Sequence, residues 1–171
     1  FRPEDFDGVI ITAEAFFDIS VIDSAAEKIR KTGIPAAVIG GDIEGFISIP
    51  SCDREDIRKI AEHLITVHGY RKIDVLTGAD DDPVSSIRLS GCLDAFNEHG
   101  ISPNRIIHGN FWNNSGEELA ARYISAELKL PEAVICLNDY MAYGLSDSLT
   151  QAGIDIPGQI SITGFDSTDQ R

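Results

Sequence analysis

The chain has 171 residues, 43% hydrophobic and 25% charged, which is the composition of a globular protein with an adequate core. Its net charge of −14 excludes a face that grips DNA or an acidic membrane through clustered Lys and Arg. No apolar run approaches the ~18 residues of a membrane span, no signal peptide pattern is present, and three scattered cysteines indicate a reducing compartment.

The first elements alternate between strand and helix patterns. FDGVIITA at 6–13 predicts a strand, and apolar residues at helical spacing predict a helix over 18–32 that Gly33 ends. Further strands are predicted at 35–40 and 46–50, with a turn between them.

The same alternation continues in the middle of the chain. A helix is predicted over 53–68, a strand over 72–78, a helix over 83–99 closed by Gly100, and a strand over 105–111.

A capping box predicts the next helix, with Ser115 as the cap and Glu118 three residues later. This helix is expected to run to about Leu130. AVICLN predicts a strand, and a helix over 139–152 and a strand over 160–165 follow it.

Strands separated by helices predict parallel sheets, and apolar strands predict that both sheet faces are covered. Ligands of such sheets collect beyond the carboxyl ends of the strands. Four short segments lie just past the ends of predicted strands, and we expect their polar groups to line one crevice: Gly78-Ala79-Asp80, Phe111, Asn138-Asp139 and Phe165-Asp166.

The sequence lacks the motifs of nucleotide binding and of nucleophilic catalysis. G-x-G-x-x-G, G-x-x-x-x-G-K-[ST] and G-x-S-x-G are all absent. No histidine pair makes H-x-x-x-H, and no cysteine lies at metal-ligand spacing to another. Asp80-Asp81-Asp82 reads as a solvated acidic loop, because it lacks the spacing of a calcium loop. We therefore expect no catalytic residue, no cofactor and no metal.

Six segments, in order, resemble the effector-binding core of LacI/GalR transcriptional regulators, whose fold is that of the periplasmic sugar-binding proteins. The most specific runs from Ala133 to Ser167 and resembles A-[IVL]-x-x-x-N-D-x-M-A-x-G followed by P-x-x-[IV]-[SA]-[IV]-x-G-[FY]-D. The other five are FDGVII, GIPAAVIG, AEHLITVHGYRKIDVLTG, SIRLSGCLDAFNEHGI and GNFWNNSGEELA.

The resemblance implies a set of ligand-binding residues. Arg88 matches an arginine that reaches the ligand, Phe111 an aromatic residue that stacks on its ring, Asn138 the N-D amide and Asp166 the G-[FY]-D carboxylate. Thr12, at the end of the first strand, is a looser candidate. Three of the five also have a structural alternative: Asn138 could cap a helix, Phe111 could be core, and Arg88 could pair with the aspartates at 80–82.

Three positions depart from the family pattern. The D-N-x-x-G motif reads SCDREDIRK here, with Asp56 in place of Gly. Tyr70 replaces the His of G-H-R, and the I-P-V-V strand ends in Gly40-Gly41 without the expected Asp. The start at Phe1 and the extent of the match lead us to expect a fragment that lacks the DNA-binding headpiece.

The implied fold is an α/β, periplasmic-binding-protein-like pair of lobes, each a parallel sheet flanked by helices, with the first lobe incomplete. Residues 1–51 would belong to the N-terminal lobe and 52–171 to the C-terminal lobe. The implied function is a cytoplasmic, non-enzymatic sensor that binds a sugar or nucleoside-like effector between the lobes. Its other implied partners are a second copy in a homodimer and, through a missing N-terminal domain, DNA; no membrane partner is expected.

Three alternatives remain open at this point. The same sensor could control a signalling enzyme, the chain could be an extracytoplasmic sugar-binding protein, or it could be a doubly wound α/β enzyme. We expect Arg88→Ala and Asp166→Ala each to abolish effector binding and to leave the fold intact.

Overall fold

The structure is a computed structural model that describes residues 1–13 and 19–168. The chain divides into two compact units, Phe1–Cys52 and Asp53–Arg171. No helix in the described ranges has the length and apolar character that a bilayer crossing requires.

The first unit contains a small parallel sheet and one long helix. After a 3₁₀ turn at Pro3–Asp5, the sheet has the order β1-β2-β3, and every neighbouring pair is parallel. The bounds are β1 Val9–Thr12, α1 Ile19–Thr32, β2 Ala36–Ile39 and β3 Ile47–Ile49.

The core of the first unit is small. Among the described residues, one from β1, two from α1 and one from β2 are buried together: Ile11, Ile22, Ile29 and Val38. By contrast, Ile10 on β1 is 70% exposed and Ile47 on β3 is 68% exposed, although strands of parallel sheets are normally covered on both faces. This unit therefore buries little apolar surface.

The second unit is a four-stranded parallel sheet flanked by four helices. The strand order is β5-β4-β6-β7. The bounds are α2 Asp53–Thr66, β4 Ile73–Thr77, α3 Pro83–Glu98, β5 Arg105–His108, α4 Asn113–Ile124, β6 Ala133–Cys136, α5 Asp139–Gln151 and β7 Ser161–Thr163.

The second unit has an extensive core. Every residue of β4 and β6 is buried, as expected for central strands of a sheet covered on both faces. Helix α2 packs on α3, and α4 packs on α5. Gly116 and Gly144 make the second contact close: a Cβ at Gly116 would collide with the Met141 carbonyl, and one at Gly144 with the Asn113 carbonyl.

The predicted fold class, two parallel sheets flanked by helices, is confirmed. Each predicted helix and strand is present, and Gly33, Gly100 and Gly153 follow helix ends with positive φ angles, which glycine adopts readily. The predicted strand 105–111 is shorter and ends at His108.

The predicted start and end of α4 are wrong. The helix begins at Asn113 with Trp112 in the cap position, so Ser115 lies inside the first turn and is not the cap. The Ser115 hydroxyl instead donates to the Asn110 side-chain oxygen (2.6 Å) and accepts from the Asn110 backbone N–H (3.0 Å). The helix ends at Ile124, well before Leu130, and Ala126 then takes a left-handed φ of 60°.

Candidate functional site

The strand order of the second unit brings several loops together. β4, β6 and β7 are neighbours and parallel, so the segments that follow their carboxyl ends share one edge of the sheet. These segments contain Gly78, Asn138 and Asp166, and Phe111 follows β5 at the same edge. Of the five predicted ligand-binding residues, the four in this unit are brought together here.

Arg88 is the centre of this cluster. It lies on α3, and its residue is only 7% exposed. Its Nε donates to Asp53 (2.7 Å), one terminal nitrogen donates to the Leu137 carbonyl (2.7 Å), and the other pairs with Asp166 (2.7 Å). Burial of a guanidinium is compensated when its donors meet carboxylates in this way. These partners replace the structural alternative left open for Arg88, a surface pair with the aspartates at 80–82.

Two aromatic rings flank the same guanidinium. The Phe165 ring centroid is 4.4 Å from the central carbon of Arg88, within cation–π range, and the Phe111 centroid is 6.0 Å away. Arg88 therefore presents its charge between two carboxylates and two rings.

Asp166 combines an unusual backbone with a perturbed carboxyl group. Its φ is 98°, in a region that non-glycine residues rarely adopt. Burial raises the pKa of the Asp166 carboxyl, and Arg88 opposes that shift. The loop that carries it is tied to α5, since the Thr168 N–H donates to the Asp139 carboxylate (2.6 Å). Asp166 thus remains partly accessible, with a side chain 35% exposed, while its backbone is held.

Phe111 also has a positive φ, 66°. Its ring lies against Gly78, where a Cβ would collide with it, so the glycine at the end of β4 makes room for the ring. Phe111 is half-buried and packs against the core. It therefore has the packing role that was left open for it, and its ring still lies at the strand-end edge where stacking on a ligand is predicted.

Asn138 has the structural role that was left open for it. It is the N-cap of α5, and its side-chain oxygen accepts from the Met141 N–H (3.0 Å). Its amide nitrogen also donates to the Phe111 carbonyl (2.8 Å). Asn138 therefore links the start of α5 to the backbone of Phe111, which has a strained φ angle.

Two neighbouring acidic residues are engaged in local structure. Asp82 caps α3, and its carboxylate accepts from the N–H groups of Val84 (2.8 Å) and Ser85 (3.0 Å). Asp80 pairs with His108. In the described part of the chain, no three or more His, Cys, Asp or Glu residues are grouped so that they could hold a metal ion.

Thr12, the fifth predicted residue, belongs to the first unit, where it ends β1 and is exposed. Asp53 was not among the residues expected at the site, and Phe165 was expected only at the edge of the crevice and not as a ligand contact. Asp53 could have been recognised, because it takes the Asn position of D-N-x-x-G when Asp56 takes the Gly position.

Comparison with known proteins identifies relatives of the chain. Residues 61–170 match the family model described as "Periplasmic binding protein-like domain". The HTH-type transcriptional repressor PurR of Photobacterium profundum is 31% identical over 170 residues, covering 95% of this chain and 48% of the repressor. The chain thus spans about half the length of the curated relatives it matches.

Solved structures agree with these sequence matches. A sugar-binding transcriptional regulator of the LacI family from Escherichia coli, complexed with phosphate, superposes with a TM-score of 0.75 at 28% identity, covering 95% of this chain and 58% of that one. The lac repressor dimer bound to operator and the anti-inducer ONPF gives 0.75 at 25% identity, covering 97% and 56%. These relatives are transcriptional regulators and not enzymes.

Proposed function

The chain belongs to the periplasmic binding protein-like family, as an effector-binding core of the LacI type, and from this premise we propose that it is the sensor of a transcriptional regulator. In this proposal it binds a small ring-shaped metabolite, a sugar or nucleoside-like compound, in a cleft between two lobes. Binding then controls how a separate headpiece holds DNA in a cytoplasmic homodimer.

The observation that carries the proposal is the convergence of Arg88, Asp166 and Phe111 at the carboxyl edge of the second sheet. A polyol presents paired hydroxyl groups and an apolar ring face. A carboxylate accepts from the hydroxyls, a guanidinium donates to adjacent oxygens, and an aromatic ring covers the face.

Each residue has a distinct role in this proposal. Asp166 accepts from the effector, because its carboxylate is the more accessible partner of the Arg88 pair. Arg88 orients Asp166 and reaches the effector beside it. Phe111 provides the stacking surface, and Asn138 positions Phe111 through its backbone carbonyl. Thr12 contributes from the first lobe, as the family resemblance implies.

Control of DNA binding follows from differential affinity. An effector that binds one conformation of the regulator more tightly shifts the equilibrium toward it, and the headpiece responds to that shift. The net charge of −14 fits this division of labour, since contact with DNA phosphates would fall to a separate basic domain.

The test is an effector screen by titration calorimetry on the regulator that carries this chain. The probes are D-glucose, D-galactose, D-ribose and adenosine. Trp112, the only tryptophan of the chain and the neighbour of Phe111, offers a fluorescence signal in parallel. We expect one class to bind saturably and to change operator affinity.

The control uses two variants that remove the same charge. Asp166→Asn should abolish binding of the probe, whereas Asp81→Asn, an exposed aspartate near the same edge, should leave it unchanged. Equal affinity of wild type and Asp166→Asn would show that the site assignment is wrong. Binding without any effect on operator affinity would remove the proposed output.

A further inference from the structure

Two histidines outside the candidate site face each other at the end of α2. His63 lies in the last turn of the helix and His68 in the loop that follows, and both are exposed. Their Nε2 atoms are 3.1 Å apart, and their ring planes meet at 72°. The pair precedes β4, so it lies at the opposite end of the second sheet from the strand ends that form the candidate site.

The separation of the two nitrogens suits a shared metal ion. In zinc sites the Zn–N distance is about 2.0–2.1 Å. Two nitrogens bound to one zinc ion are therefore about 2.9 Å apart when the N–Zn–N angle is a right angle, and about 3.4 Å apart when it is tetrahedral. The observed 3.1 Å falls between these limits. The alternative, an N–H···N hydrogen bond, favours rings that meet in line. The ring centroids here are only 4.9 Å apart, so the two rings converge at an angle.

The surroundings hold both rings in place. The His68 ring stacks on Tyr70, with centroids 5.3 Å apart and planes 15° apart. The Tyr70 hydroxyl is in turn within hydrogen-bond distance of the Ser161 hydroxyl at the start of β7 (2.9 Å). The backbone of His63 is held in the last turn of α2. Gly69, with a φ of 73°, permits the turn between His68 and Tyr70. The site is therefore formed before any ion arrives.

We propose that His63 and His68 form a binding site for one divalent transition-metal ion that prefers imidazole ligands, such as Zn²⁺, Ni²⁺ or Cu²⁺. The described residues supply no group of three or more metal-ligating side chains, so water completes the coordination and the ion exchanges readily. The bound ion ties the end of α2 to the loop before β4 and stabilises this junction.

The experiment is a Zn²⁺ titration of the 171-residue chain by calorimetry, with Mg²⁺ as the hard-cation control. All proteins carry Cys52→Ser, because the exposed Cys52 thiol is itself a soft metal ligand. We expect one Zn²⁺ per chain and no Mg²⁺ binding. His63→Ala and His68→Ala should each weaken Zn²⁺ binding at least tenfold. Losing a residue that only hydrogen-bonds to a metal ligand already costs about tenfold in affinity, and losing the ligand itself should cost at least as much.

The other two histidines of the chain are matched controls. His99→Ala and His108→Ala should bind Zn²⁺ as tightly as the parent. A parent that shows no saturable Zn²⁺ binding would overturn the proposal, and so would a loss confined to His99→Ala or His108→Ala. Thermal unfolding of each variant without metal confirms that these exposed substitutions leave the fold unchanged.

Discussion

Two residues of the candidate site, Phe111 and Asp166, have positive φ angles of 66° and 98°. Such conformations in non-glycine residues cost on the order of 1–3 kcal/mol each and persist where the surrounding structure imposes them. Here Asn138 holds the Phe111 carbonyl, and Asp139 holds the loop of Asp166. Both strained residues are among the five that the sequence analysis selected for effector contact.

Asp166→Asn is expected to leave the fold as stable as the wild type or slightly more stable at pH 7. The pKa of this carboxyl is raised, mainly by burial, so the folded state disfavours the ionised form. A raised pKa in the folded state means that stability falls as pH rises through the window above the ordinary value. The gain should stay below about 1 kcal/mol, because the side chain is partly exposed and solvent screens it.

Urea denaturation of both proteins at pH 7 and near pH 3 measures this effect. The difference should vanish at the lower pH, where the carboxyl is protonated in both folded and unfolded states. A loss of more than about 1 kcal/mol at pH 7 would show that Asp166 stabilises the fold through Arg88.

Arg88→Met is expected to destabilise the fold by roughly 3–5 kcal/mol, because removing one partner of a buried ion pair leaves the other charge desolvated. The side chains of Arg88 and Asp53 are only 9% and 13% exposed. The structure therefore changes the expectation that Arg88→Ala would leave the fold intact.

A double variant separates this mechanism from simple loss of packing. Adding Asp53→Asn to Arg88→Met should recover part of the lost stability in chemical denaturation, since the desolvated charge is then gone. If the double variant is as unstable as the sum of both single changes, the ion pair is not the cause.

At the scale of the helices, α4 and α5 approach through glycines. Gly116→Ala and Gly144→Ala should each lower the free energy of unfolding by roughly 1–3 kcal/mol, because the new methyl group meets the backbone of the facing helix. This loss exceeds the gain of about 1 kcal/mol that Ala brings over Gly in a free helix.

Thermal and urea denaturation measure the two variants beside Glu117→Ala, an exposed position on α4. This control should stay within about 0.5 kcal/mol of the wild type. A higher melting temperature for Gly144→Ala would mean that helix propensity outweighs the close contact.

At the scale of the whole molecule, the two units differ in how much core they contain. The described part of Phe1–Cys52 has four buried side chains in its apolar cluster, whereas the cluster of Asp53–Arg171 includes residues from all its helices and from β4 and β6. Domains of about 50–60 residues are marginally stable even with a well-formed core, and the first unit leaves Ile10 and Ile47 largely exposed.

Residues 53–171 expressed alone are therefore expected to fold, and residues 1–52 alone are not. Circular dichroism with urea denaturation should show a single cooperative transition for the longer piece and none for the shorter. A cooperative transition of residues 1–52 would contradict this account of the first unit.

Most of the fold was predictable because the signals are local. The apolar runs around Val75 and Ile135 predicted strands that are indeed buried along their length. The start of α4 was not predictable, because Ser115 has the sequence of a cap and yet bonds back to Asn110. For the candidate site, the resemblance indicated which residues to examine and left open how they contact each other.

The sequence by itself determined the order and type of the elements and their parallel arrangement, since these follow from periodicity and glycine positions. The family was indicated by the resemblance of six ordered segments to its motifs. Only the tertiary structure decided that Arg88 pairs with Asp53 and Asp166, that Asn138 holds Phe111, and that Gly144 faces α4. These contacts join residues far apart along the chain. Their geometry depends on how the helices and the sheet pack, and no local pattern encodes that.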